Sequence, residues 1–166
     1  MPPSAAATIK PLRIIHIALT VSPVLFSFAA VMMTSGKAAP ALDPTITMAL
    51  VGGLAVAILI AAPLVAARMM PRLAKVSDGR RRDLARFEDE DGRAALGKLR
   101  QALIVRWSMT EAVANFGLVA AVLLNDALAY GPFGLVAIAS LVRAAPTDEL
   151  YQSVLRALPD RAGATT

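Results

Sequence analysis

The chain has 166 residues, 57% of them apolar and 17% charged, with a net charge of +5, one histidine and no cysteine. The length suits one domain. The missing cysteine excludes a disulfide framework or a thiolate metal site, and the lone histidine excludes a multi-histidine site within one chain. Apolar residues come in long blocks and do not alternate with polar ones, which excludes the patterning of an ordinary soluble fold.

Residues 1–10 are small and proline-containing. Lys10 and Arg13 lead into an apolar run from Leu12 to about Thr34, close to the roughly 20 residues that cross a bilayer. A secretory leader is the rival reading, with Gly36–Ala39 as the cleavage region. The apolar core is longer than the roughly 7–15 residues of a leader, so an uncleaved anchor is expected. Gly36, Pro40, Asp43 and Pro44 mark a loop. The second span runs from about Ile46 to Ala67. It holds Pro63, which removes a backbone bond and can kink the helix. Arg68, Arg72 and Lys75 close it, with Pro71 just past its core.

Residues 68–101 form the long polar loop, with Arg80-Arg81-Arg82 and Glu88-Asp89-Glu90-Asp91. A short surface helix is expected over Arg80–Phe87, between the turn signals Asp78-Gly79 and Asp91-Gly92. Asp91 reads as the N-cap of a helix that continues into the third span, about 102–124. Asn125-Asp126 makes a tight turn into a short fourth span, about 127–142, closed by Arg143. Thr147 then caps an amphipathic tail helix over 147–158, with Leu150, Val154, Leu155 and Leu158 on one face, expected at the membrane surface.

Lys and Arg concentrate in both tails and the central loop, so the positive-inside rule places these in the cytoplasm. The same placement makes the basic residues topogenic and argues against nucleic acid as a partner. The expected fold is all-α: one membrane domain over 1–166, a four-helix bundle of two tandem hairpins, N-in and C-in. Setting Ile14 against Ile104 aligns His16 with Arg106, Thr20 with Thr110 and Phe26 with Phe116. Both hairpins end in Arg-x-x-Pro, at Arg68 and Arg143. Duplication and chance likeness both explain this.

One carboxylate, Glu111, falls well inside an apolar span. An ionised group there costs on the order of 2.5–3.5 kcal/mol, so it should face protein. Ser108 and Asn115 lie three residues before and four after it, on one helical stripe. The first span carries a stripe of its own: His16, Thr20, Pro23 and Ser27. Thr20 is nearest to the depth of Glu111. Glu111, Ser108, Asn115 and Thr20 are therefore the candidate proton or ion site, and His16 is a candidate accessory. Arg13, Arg68, Arg106, Trp107 and Arg143 are expected as anchors at the membrane interface. No catalytic set, metal site, phosphate loop or cofactor is expected.

Two resemblances arise from these residues. The stretch Met109-Thr110-Glu111-Ala112-x-Ala114-x-Phe116-Gly117-Leu118-Val119-Ala120-Ala121 is similar to the second helix of the proton-carrying c subunit of rotary ATP synthases. That resemblance implies Glu111 as an ion site. Ile14-Ile15-His16, the basic central loop, the third span and Arg143-x-x-Pro146-Thr147 together resemble a family of small four-helix bacterial membrane proteins. This implies the same topology in a bacterial inner membrane and no particular activity. The expected role is structural or accessory, in the lipid bilayer, within a homo-oligomer or a larger membrane complex. The alternative is a proton- or cation-coupled carrier or channel subunit using Glu111. A lipid-modifying enzyme would need a polar cluster at the cytoplasmic rim, and these residues do not assemble one.

Overall fold

The structure, a computed structural model, describes residues 3–36, 39–40, 42–70 and 90–156. Among these it is all-helical, with no strand. The helices are α1 (Pro3–Met33), α2 (Pro44–Met69), α3 (Glu90–Leu124), α4 (Gly131–Arg143) and α5 (Asp148–Arg156), with a 3₁₀ turn over Ala127–Tyr130 leading into α4. The expected surface helix at 80–87 lies outside the described residues.

Local chemistry sets the boundaries. Asp43 caps α2, accepting from the amides of Thr45 at 2.8 Å and Ile46 at 3.1 Å. Pro44 fills the first helical position, where its missing N–H is not needed. The α3 helix starts at Glu90, so Asp91 falls inside its first turn and is not its N-cap. Asn125 stops α3 in the left-handed region at φ 50°, and Asp126 caps the 3₁₀ turn through the amide of Leu128 at 2.9 Å. Thr147 caps α5 as expected, accepting from the amide of Leu150 at 3.3 Å.

Three helical stretches are long and apolar enough to cross a membrane: Ile9–Met33, Pro44–Met69 and Gly92–Leu124. The fourth expected span is shorter: the 3₁₀ turn plus α4, bent by 51° from α5. Much apolar surface stays uncovered by protein, including Phe28 at 67%, Leu50 at 70% and Ile60 at 60% exposure. In water such a surface would drive aggregation. In hydrocarbon it is solvated.

The α3 helix is the hub. It packs against α1, α2, α4 and α5, and its contact with α2 is the most extensive. The buried face of α2 is small throughout: Thr47, Ala55, Ala62 and Ala66. Small residues let backbones approach closely where lipid gives no hydrophobic incentive to associate. Two clusters line α3. Toward its N-terminal end, Leu99, Leu103 and Trp107 meet Ile9, Leu12, Leu141, Tyr151 and Leu155. Toward its C-terminal end, Val113, Ala114, Ala120 and Ala121 meet Ala30, Ala55, Tyr130 and Phe133. Gly117 admits α4, since a Cβ there would stand 2.5 Å from the Cβ of Phe133.

The apolar face of the tail helix does not lie on lipid: Tyr151, Val154 and Leu155 are buried against α1 and α3. Nor is Trp107 an interface anchor, because its side chain has no exposed surface. In both cases a protein neighbour took the apolar surface that the sequence alone assigned to the bilayer.

Candidate functional site

The helices α1 and α3 run parallel and side by side. His16 meets Trp107, Ser22 meets Glu111, and the carbonyl of Gly36 meets the side chain of Asn125 at 2.7 Å. The residues in these pairs are 91, 89 and 89 apart. That is close to the offset of 90 in the Ile14–Ile104 alignment, so residues matched in that alignment stand level in space.

Glu111 is half-buried on the flank of α3 that faces α1. Its Oε1 accepts a hydrogen bond from the hydroxyl of Ser22. Serine and threonine inside helices ordinarily turn back to a carbonyl of their own helix. Thr20 does so onto His16 O at 2.8 Å, Ser27 onto Val24 O at 2.6 Å, and Thr34 onto Ala30 O at 2.8 Å. Ser22 is the described α1 hydroxyl that reaches another helix. The alignment of the two spans sets Glu111 level with Val21 and predicts Thr20 as its partner. The depth is within one residue, but Thr20 points elsewhere and Ser22 supplies the bond.

The other expected members of the site are not gathered around the carboxylate. Ser108 and Asn115 are exposed and make no hydrogen bond with the described residues. His16 is buried, 8% exposed, with its Nε2 2.9 Å from the carbonyl oxygen of Leu141. A carbonyl can only accept, so Nε2 carries the hydrogen. Its ring meets Trp107 edge-on, centroids 5.0 Å apart at 62°. The indole N–H of Trp107 donates in turn to Ala144 O at 2.9 Å.

This pair satisfies carbonyls at the C-terminal end of α4. The last carbonyls of any helix lack intrahelical donors, and an apolar medium offers no water to replace them. One donor from α1 and one from α3 therefore fix where α4 stops. At its other end, the phenol of Tyr130 donates to Pro23 O at 2.5 Å, tying the 3₁₀ turn to α1. A Cβ on Gly134 would lie 2.5 Å from that phenol ring.

Of the expected anchors, Arg68 and Arg143 are exposed and Arg106 is half-buried. Arg13 forms an ion pair with Asp148 at 2.7 Å, joining α1 to the start of α5. Beside it the phenol of Tyr151 is pushed up from its ordinary value of 10 by burial; Arg13 opposes this and Asp148 adds to it.

Among the described residues no three His, Cys, Asp or Glu side chains gather as a metal site. Apolar recesses open nearby, one lined by Gly52, Ala55, Val113 and Phe133, another by Pro23, Ser27, Tyr130 and Gly134; Glu111 lines neither. Comparison with family models, curated proteins and solved structures finds no significant match in any of the three.

Proposed function

We propose that the chain is a non-enzymatic structural or accessory subunit of a bacterial inner-membrane assembly. In this reading it is a four-span bundle with both termini in the cytoplasm, and α4 with its 3₁₀ turn makes the fourth crossing. The observation that carries it is the use of the polar groups that lie between helices. Ser22 and Glu111 tie α1 to α3. His16 and Trp107 hold the end of α4, and Tyr130 ties its beginning to α1. Each bond joins helix to helix, and each has the modest worth, about 0.6–2 kcal/mol, of such bonds in a bilayer.

A second reading, a proton- or cation-coupled carrier subunit, has one observation in its favour. Glu111 is only half-buried, and the exposed Ser108 and Asn115 flank it on the open side. It also fits the resemblance to the c-subunit helix. Labelling membranes with a hydrophobic carbodiimide separates the two. On the structural reading Glu111 reacts at a rate that sodium and potassium leave unchanged, and Glu111→Gln accumulates in the membrane at the wild-type level. Protection of Glu111 by either cation, or slowing of its labelling at high pH, would overturn that reading in favour of cation or proton binding.

A further inference from the structure

We infer that the open face of α3 is the interface for a second copy of this chain, paired in parallel about a twofold axis along the membrane normal. The inference rests on the membrane-spanning reading above.

Arg106, the basic residue within the third span, and Asn125, just past its end, stand nineteen residues apart, or about 28 Å of helix at 1.5 Å per residue. That is close to the roughly 30 Å of a hydrocarbon core. Asn115 lies nine residues from one end and ten from the other, at the midplane. Its carboxamide is exposed and bonds to nothing described. An amide has two donors and an acceptor to satisfy, and lipid tails satisfy none of them.

Asn115 belongs to a line. Gln101, Ser108, Asn115 and Val122 are all exposed and recur every seven residues. A seven-residue repeat keeps one seam facing one partner when helices cross with a slight left-handed twist. On the opposite side, α3 is covered by α1, α2 and α4.

The chemistry selects a second copy. In a parallel twofold pair every seam residue meets its own equivalent at its own depth. Asn115 then faces Asn115, and an amide is self-complementary, donating and accepting at once. Ser108 likewise meets Ser108. Gln101, toward the N-terminal end of α3, meets Gln101. A single polar residue of this kind in an apolar seam sets register and copy number. A different protein would need polar groups at matching depths by coincidence, whereas symmetry supplies them.

The chain has no cysteine, so single replacements are clean probes. Ser108→Cys and Asn115→Cys should form disulfide-linked dimers when membranes are oxidised. Phe28→Cys on α1 and Ile60→Cys on α2, both exposed elsewhere, should remain monomeric. Asn115→Leu should weaken dimerisation in detergent by about threefold, the size of an average interhelical hydrogen bond. Alkaline carbonate washing of the same membranes separates the two possible failures. Chain retained in the bilayer without crosslinks at 108 or 115 overturns the dimer and leaves the membrane reading intact. Chain released by carbonate overturns the membrane reading itself. Crosslinks at 115 to a protein of another mass, or equal crosslinking at positions 28 and 60, also overturn the second copy as occupant.

Discussion

The end of α4 offers a quantitative ordering. The carbonyl of Ala144 accepts from Trp107 and from no other described donor. The carbonyl of Leu141 accepts from His16 and also from the amide of Ala144, at 3.0 Å. Trp107→Phe therefore orphans a buried acceptor, at about 1–3 kcal/mol. The smaller ring leaves a void in a fully buried place and adds on the order of 1 kcal/mol. His16→Phe removes one bond from an acceptor that keeps another, so it should cost about 0.5–1.5 kcal/mol. Hydrogen–deuterium exchange across residues 141–156 reads this locally. Exchange should rise by at least about tenfold in Trp107→Phe, since about 1.4 kcal/mol is a factor of ten, and by less in His16→Phe. Equal effects, the reverse order, or wild-type exchange in Trp107→Phe would refute the double-donor account of this helix end.

The glycines give a contrast within one protein. Gly117→Ala sets a Cβ 2.5 Å from the Cβ of Phe133, which cannot swing away, so a loss of about 1–3 kcal/mol is expected. Gly53→Ala meets nothing within 4 Å and should be neutral or stabilise by up to about 1 kcal/mol. Thermal unfolding in detergent, followed by the sole tryptophan, measures both. Tyr151 predicts an alkaline limit. Its phenol is pushed above the ordinary 10 in the folded chain, so folding favours the protonated form. That contribution is intact below about pH 10 and is lost as pH climbs through the raised value. Stability should therefore fall as the pH rises past about 10, the ordinary value of the phenol, and Tyr151→Phe should flatten the fall in a pH-scanned unfolding series.

The long helices were legible because lipid imposes a length and a composition that a sequence displays directly. Caps were legible where short-range chemistry decides them, as at Thr147. The level of Glu111 on α1 was legible too, through the alignment of the first and third spans. Direction around the helix axis was not. Thr20 and Ser22 are two residues apart and point to different neighbours, and only the packing of α1 on α3 selects between them. Periodicity marks the apolar face of α5, and residue type marks Trp107 as an interfacial aromatic, but an apolar surface reads the same whether lipid or protein covers it. The sequence alone therefore points both at the bilayer. Ser108 and Asn115 shared a stripe with Glu111 in the sequence. In the structure that stripe straddles a boundary, with Glu111 turned to α1 and the other two facing outward.

The bond between Ser22 and Glu111 is where the account is most exposed. A double-mutant cycle of Ser22→Ala and Glu111→Leu, by unfolding in mixed micelles, measures it directly. The expected coupling is about 0.6–1.7 kcal/mol, each single change losing the same bond and the pair losing it once. Additive losses would mean that the carboxylate does not join α1 to α3, and the structural role proposed for it would fall.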